Sequence, residues 1–145
     1  MSLRIEPASL CHLPELLRIE RETFADPWSE HMLKSGINDQ AVLFPVAIAG
    51  DRLLGFAVLQ CIGPEAELQN IAVDPAAKRR GIGRALLTHL IAEGERGGVE
   101  VFHLEVRASN DAAIALYRSL GFQSVGLRRN YYVNPMEDAL LLTRF

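Results

Sequence analysis

A short glycine- and arginine-rich segment has the composition of a phosphate-binding loop. It reads Arg79-Arg80-Gly81-Ile82-Gly83-Arg84 and stands between a β-type run and an apolar-periodic run. Its glycines let the backbone turn tightly, and a helix that begins here presents unpaired N–H groups and partial positive charge to an anion. The alternative is a solvated basic turn. The segment lacks the Gly-Lys-Ser/Thr of a Walker loop, and Leu86 replaces the third glycine of the dinucleotide fingerprint.

Glu105 and Tyr117 are the side chains best suited to move protons. Glu105 ends an otherwise apolar run, where loss of water favours the neutral carboxyl and makes it a better base. Tyr117 shares a helical face with Ile114 and Leu120, so it should point inward, where its hydroxyl needs a partner. Two alternatives remain open. Glu105 can face solvent or pair with Arg107, and Tyr117 can be a core residue bonded to a carbonyl.

The bulk composition is that of an ordinary globular protein. With 145 residues, 49% of them hydrophobic, the chain can bury one core, and we expect residues 1–145 to form a single domain. A net charge of −3 gives no general attraction to nucleic acid or to an anionic membrane. Cys11 and Cys61 form no redox or metal pair, and neither an 18-residue apolar run nor a signal-peptide pattern occurs. The expected location is the cytoplasm.

Hydrophobic periodicity predicts an α/β domain with a mixed sheet. The expected strands cover residues 3–6, 43–49, 52–61, 66–73, 101–106, 122–128 and 138–143. The expected helices cover residues 10–22, 29–35 and 83–94, with Ser9 and Ser29 as N-caps and Gly36 ending the second helix. A fourth helix is capped within Ser109-Asn110-Asp111 and ends at Gly121. Periodicity leaves the strand order open.

Several motifs together resemble one superfamily. The basic loop matches the Q/R-x-x-G-x-G/A acetyl-CoA loop of the GNAT (Gcn5-related) N-acetyltransferases. Further motifs follow in that superfamily's order: residues 104–110 (LEVRASN), 113–117 (AIALY) and 120–122 (LGF). With residues 27–30 (PWSE) and 128–132 (RRNYY), the chain resembles the RimI type, which acetylates the N-terminal alanine of a small-subunit ribosomal protein. One departure is that the loop at residues 133–136 is shorter than expected of that type.

The resemblance implies a GNAT fold and acetyl-CoA as cosubstrate. That fold has a central, mixed, mostly antiparallel twisted sheet of six to seven strands, flanked by about four helices and splayed where acetyl-CoA binds. The loop then holds the phosphates, and the strand before it pairs with the pantetheine arm through its backbone. The cofactor-binding residues implied are Ile71, Ala72, Val73, Arg79, Arg80, Gly81, Ile82, Gly83, Arg84 and Asn110. Asn110 is otherwise a simple N-cap.

The resemblance also assigns roles in catalysis. Glu105 becomes the general base, since a free α-amine has a pKa near 8 and is mostly protonated at neutral pH. Tyr117 becomes the general acid for the departing thiolate. On the substrate side, Trp28 is a core anchor or a peptide contact, and Tyr131 and Tyr132 form a lid.

Weaker signals lie around these residues. Four acidic residues form either an acidic rim for a basic peptide or simply a solvated face: Glu65, Glu67, Glu137 and Asp138. His103 shares a strand face with Glu105 and is an auxiliary base or a bystander. The histidines show no ligand spacing, and we predict no metal site.

The predicted activity is therefore N-terminal acetylation of a ribosomal protein by a monomer or weak dimer, without nucleic-acid or membrane partners. Two rivals remain. One is an enzyme that acetylates lysine or a small amine, and the other is a non-catalytic acyl-CoA-binding module. Keeping both Glu105 and Tyr117 argues against the module, because a binder needs neither acid nor base.

Overall fold

Residues 2–145 are described by the computed structural model, and its elements surround one eight-stranded sheet. The strands are β1 (Leu3–Pro7), β2 (Val42–Leu43), β3 (Pro45–Ala49), β4 (Arg52–Ile62), β5 (Glu65–Val73), β6 (Val101–Arg107), β7 (Gln123–Tyr132) and β8 (Glu137–Arg144). The helices are α1 (Leu13–Thr23), α2 (Glu30–Asn38), α3 (Ile82–Arg96) and α4 (Asp111–Ser119). Single 3₁₀ turns cover Leu10–His12 and Pro75–Ala77.

The sheet runs in the order β1-β3-β4-β5-β6-β8-β7, with β2 paired to β4 beside that path. Every pairing is antiparallel except that of β5 with β6. The α/β class, the mixed sheet and the four helices are confirmed. The strand count is eight rather than six to seven because the predicted strand at residues 43–49 is divided. Pro45 has no N–H for a ladder, and the chain before it pairs separately, as Val42–Leu43.

Two predicted boundaries were wrong because tertiary packing decided them. Gly36 lies inside α2 rather than at its end, and α2 continues to Asn38. A Cβ on Gly36 would approach the Phe44 ring to 3.2 Å, so this glycine serves close packing. β7 continues past Arg128 to Tyr132, where it pairs with Glu137 of β8.

The helices cover the two faces of the sheet with separate apolar clusters. On one face α1 and α2 pack against β3 and β4, and among their fully buried side chains are Leu16, Leu33 and Phe56. On the other face α3 and α4 pack with side chains that include Leu86 and Phe102. Complete burial of such a side chain contributes roughly 1.5–3 kcal/mol. The packing fixes the start of α3 and the α1–α2 connection relative to β5.

The parallel pairing of β5 with β6 is short, and the two strands then separate. It runs only from Glu65–Val101 to Leu68–Leu104. The register of β5 on β4 shifts at Gln69, between the pairs Leu59–Leu68 and Val58–Asn70. Such a bulge increases the local twist and redirects the strand. Beyond it, β5 stays paired to β4 as far as Val73, while its other edge has left β6. The predicted splay is therefore present.

Candidate active site

The glycine loop has the backbone geometry of an anion site. Gly81 is the N-cap of α3 with φ +75°, and Arg79 also lies in the left-handed region with φ +67°. No side chain caps α3, and its first turn contains no acidic residue. The first N–H groups of a helix point away from it along the axis, so those of Ile82, Gly83 and Arg84 are available to an acceptor. The exposed basic residues before them add positive charge.

Asp74 fixes the 3₁₀ turn at Pro75–Ala77, which leads into this loop. Its side chain is 2% exposed and accepts hydrogen bonds from the Ala76 N–H at 3.0 Å and from Arg18 Nη2 at 3.0 Å. Arg52 Nη2 lies 3.4 Å away. Burial alone would raise the pKa of Asp74, but the Ala76 N–H and the Arg18 guanidinium outweigh it, so the pKa lies below its usual value. The turn at Pro75–Ala77 that leads into the loop is thus held in place by Asp74.

Arg84 and Asn110 both make bonds within the protein. Arg84 Nη2 donates to Ser119 Oγ at 2.9 Å, which ties α3 to the end of α4. Asn110 Oδ1 accepts from the Ala113 N–H at 3.2 Å, so the N-cap reading of Asn110 is confirmed. Both side chains remain exposed.

A cleft of about 500 Å³ lies on the α2 side of the splayed strands. The end of β7, one side of α2 and the middle of β5 enclose it around Glu105 of β6. Its lining residues are Trp28, His31, Met32, Ser35, Gly36, Asp39, Val42, Gln60, Glu67, Leu68, Gln69, Glu105, Tyr131 and Tyr132. Four predicted site residues therefore meet in one cavity: Trp28, Glu105, Tyr131 and Tyr132.

Glu105 faces this cleft and is partly shielded from water. Its side chain is 24% exposed, and Oε1 lies 3.6 Å from Arg128 Nε. A hydrogen-bonding interaction with the Glu105 carboxylate is the largest cause that raises the pKa of Tyr131. The alternative pairing with Arg107 is wrong. Arg107 instead donates to the Val133 and Pro135 carbonyls at 2.8 and 2.9 Å and lies 3.3 Å from Glu137 Oε1.

Tyr117 does not line the cleft and is instead buried in the apolar cluster on the α3–α4 face of the sheet. It is 5% exposed and packs edge-on against Phe122, with ring centroids 5.9 Å apart. Burial, then the nearby Tyr132, raises the pKa of Tyr117 to about 12. Within residues 2–145 no carbonyl accepts a hydrogen bond from its hydroxyl, so the structure does not support the carbonyl-bonded alternative. Burial and then Glu105 raise the pKa of Tyr132 to about 12.

The four acidic residues proposed as a rim are not assembled into one. Only Glu67 lines the cleft. Glu65 contacts His103 Nε2 at 2.7 Å, Glu137 accepts from the Ser109 N–H at 2.6 Å, and Asp138 accepts from the Asn130 N–H at 2.9 Å. His103 also contacts Thr143 Oγ1 at 3.0 Å. These contacts favour the bystander reading of His103.

A buried carboxylate, Glu20, was missed by sequence reasoning. It is 1% exposed and accepts hydrogen bonds from the Trp28 N–H at 2.8 Å and from Asn70 Nδ2 at 2.7 Å. The available signal was its position on the apolar stripe of α1, in helical register with Leu13 and Leu16. Trp28 itself both packs against the α1–α2 core and lines the cleft, so its two readings are compatible.

Neither a metal-binding cluster nor a membrane-spanning helix is found among the described residues. Among residues 2–145, no three His, Cys, Asp or Glu side chains are close enough to hold a metal ion. No helix in that range is long and apolar enough to cross a membrane.

The sheet opens beside a cleft that contains a carboxylate, and a basic glycine loop begins the helix next to the open strand. This arrangement is typical of an acyltransferase. Residues 13–122 match the acetyltransferase (GNAT) family, and the chain belongs to that family. The [ribosomal protein bS18]-alanine N-acetyltransferase of Escherichia coli K12 is 48% identical over 132 residues, 90% of this chain and 88% of that protein. The N-alpha-acetyltransferase RimI of Mycobacterium tuberculosis is 44% identical, covering 82% and 76%.

A solved structure agrees with these sequence relatives. The crystal structure of the Escherichia coli ribosomal-protein-S18-alanine N-acetyltransferase superposes with a TM-score of 0.92 and 43% identity, covering 99% of this chain and 93% of that one. The resemblance to RimI-type enzymes is confirmed, as is the GNAT fold.

Proposed function

We propose that this protein transfers the acetyl group of acetyl-CoA to the N-terminal α-amine of ribosomal protein S18, with alanine as the acceptor residue. The observation that carries the proposal is the cleft in which Glu105 meets the splayed edge of β5. A cleft beside an open strand edge allows an amine bound in the cleft to approach a thioester bound along the edge. The 48% identity to the bS18-alanine enzyme supports this choice of acceptor.

The residues present suit acetyl-CoA, which would supply an activated acetyl thioester. The free edge at Ile71, Ala72 and Val73 offers backbone groups to an extended amide-containing arm, as an added strand would use them. The uncapped first turn of α3 and the exposed Arg79 and Arg80 suit a diphosphate. The first turn of α3 contains no acidic side chain that would repel the diphosphate.

Two proton movements complete the proposed reaction. Glu105 takes a proton from the attacking amine, so the nitrogen can form the new bond to the acetyl carbon. Tyr117 gives its hydroxyl proton to the sulfur as the carbon–sulfur bond breaks. Because its pKa is about 12, the hydroxyl is protonated at neutral pH and can act as an acid. The peptide enters past Trp28, Tyr131 and Tyr132, which line the cleft.

Mass spectrometry tests the acceptor directly. The protein is incubated with acetyl-CoA and a peptide beginning Ala-Arg, beside an N-blocked version that also contains lysine. One acetyl group on the α-amine, absent from the blocked peptide, is the expected result. Acetylation on lysine alone would favour the side-chain enzyme. Binding of acetyl-CoA without transfer to either peptide would favour the non-catalytic module.

The two loop glycines are expected to respond differently to alanine. Gly81 has φ +75°, and an L-residue there costs about 1–2 kcal/mol, so Gly81→Ala should raise KM for acetyl-CoA about five- to thirtyfold. Gly83 lies inside α3, and a Cβ there would lie 3.6 Å from Leu116 Cδ2 of α4, an ordinary van der Waals contact. Gly83→Ala should therefore leave KM within about twofold and gain roughly 0.5–1 kcal/mol of stability.

Steady-state kinetics and thermal melts of both variants measure these effects. Equal changes of KM in the two variants would contradict the proposed backbone geometry of the loop.

The proposed acceptor also implies a macromolecular partner and a cellular location. A ribosomal protein N-terminus is the macromolecular partner, and the cytoplasm is where such proteins are made. We also propose a monomer or weak dimer without direct contact to nucleic acid.

A further inference from the structure

Glu20 is a buried carboxylate that the proposed chemistry does not use. Both of its oxygens accept hydrogen bonds, Oε2 from the Trp28 N–H at 2.8 Å and Oε1 from Asn70 Nδ2 at 2.7 Å. Burying a carboxylate is costly unless its oxygens are satisfied. Burial raises the pKa of Glu20, while the donors from Trp28 and Asn70 oppose that rise. An apolar side chain on this stripe would avoid the cost, so the two bonds need an explanation.

The two donors belong to two separate elements that border the cleft, although Asn70 itself does not line it. Trp28 lies in the connection between α1 and α2, and its side chain lines the cavity. The next residue, Ser29, caps α2 by accepting from the Met32 N–H at 3.2 Å, and α2 supplies another side of the same cavity. Asn70 belongs to the part of β5 that has separated from β6, and it directly precedes Ile71. Glu20 thus links the α1–α2 connection to β5.

We propose that Glu20 is a positioning residue for the acceptor peptide: it holds Trp28 and the start of α2 at a fixed place against β5. The inference deepens the proposed function and rests on it for the identity of the peptide. The placement of Trp28 itself does not depend on any activity. A carboxylate suits the task because it alone offers two strong acceptors to two donors on separate elements.

Glu20→Gln tests the proposal with almost no change of volume. One acceptor oxygen becomes an NH₂ group, so one of the two donors must face another donor. We expect KM for the Ala-initiated peptide to rise about tenfold, the scale of one lost hydrogen bond to a charged group. KM for acetyl-CoA and kcat should stay within about twofold, because the splayed edge and Glu105 are not touched.

A compensating exchange provides the rescue. In the double variant E20Q/N70D the glutamine NH₂ can donate to the new aspartate, while its carbonyl still accepts from the Trp28 N–H. The double variant still buries one carboxylate. Both hydrogen bonds are restored, and in the bond between residues 20 and 70 the donor is now residue 20 and the acceptor residue 70. Peptide KM should return to within about threefold of the wild type.

Trp28 is the single tryptophan of the chain, so its fluorescence reports the loop without any substrate. Acrylamide quenching of the free enzyme should increase in Glu20→Gln and return toward the wild-type value in E20Q/N70D. Leu90→Ala is the control for general destabilisation. Leu90 is 1% exposed on α3, on the opposite face of the sheet, and its truncation lowers stability through a cavity. Its quenching and its peptide KM should stay near those of the wild type.

The outcomes separate the two proposals. Unchanged quenching and unchanged peptide KM in Glu20→Gln would overturn the positioning role, as would an equal rise of KM in Leu90→Ala. If the wild type acetylates no N-terminus, the proposed function fails, and the quenching comparison still decides whether Glu20 positions Trp28.

Discussion

Glu105→Gln is expected to lower kcat for peptide acetylation by about 10²-fold or more, because general-base catalysis contributes about 10²–10⁴-fold. The substitution keeps the side-chain shape and removes only the basic oxygen. The deficit should shrink as the pH rises above about 8, the ordinary pKa of an α-amine, since the amine then loses its proton without help. Release of the free thiol at saturating peptide and acetyl-CoA, measured from pH 6 to 10, gives the profile.

Glu67→Gln is the matched control for this experiment. Glu67 also lines the cleft, so the control removes the same unit of negative charge from the same cavity. Its effect should fall on peptide KM and leave kcat within a few-fold. A kcat of Glu105→Gln near that of the wild type would remove Glu105 as the base. An equal loss in both variants would mean that the charge of the cleft, not proton transfer, governs the rate.

Tyr117→Phe is expected to cause the second large loss, again about 10²-fold or more in kcat. The hydroxyl has no hydrogen-bond partner within residues 2–145, so its removal leaves no buried group unsatisfied, and the edge-on contact with Phe122 persists. The melting temperature should therefore stay close to that of the wild type. The pKa of about 12 predicts that ionisation of Tyr117 causes no fall in wild-type activity below about pH 10.

The choice of leaving thiol distinguishes an acid from a merely structural tyrosine. An acetyl thioester of a more acidic thiol departs without protonation, so Tyr117→Phe should lose much less with that substrate than with acetyl-CoA. Tyr132→Phe serves as the neighbouring control and should show a smaller loss of kcat. The assignment of Tyr117 fails if its variant loses the same factor with both thioesters, or if Tyr132→Phe has the larger effect.

Local signals predicted those parts of the fold whose causes are local. Ser29 and Asn110 cap α2 and α4 as expected, because each side chain bonds an N–H three residues ahead. The glycine loop begins α3 as expected, because its glycines and the following apolar stripe lie within one short segment. The predicted end of α2 was wrong because Gly36 is needed for close packing against the Phe44 ring. The local sequence of the helix carries no signal of that distant contact.

The meeting of the site residues depended on distant pairings. Glu105 reaches Arg128 and Tyr131 because β7 folds back along β8, and β8 pairs with β6. Periodicity does not give that strand order, so sequence spacing alone suggested Arg107 as the partner. Glu20 was visible as a polar residue on an apolar stripe, but its meaning required Asn70, 50 positions further along the chain. Family resemblance supplied the roles of Glu105 and Tyr117, which spacing left open.

The brief parallel contact between β5 and β6 divides the sheet into two unequal parts. Five strands, β1 to β5, lie on one side and three on the other, and four residue pairs connect them across the ladder. A ligand lying in the gap would lengthen that seam as a ninth strand and would bind the folded chain far better than the unfolded one. At a hundredfold excess over its dissociation constant, such a ligand adds about 2.7 kcal/mol to the free energy of unfolding. The cosubstrate would then be a structural component as well as a reactant, and the melting temperature would rise with its concentration.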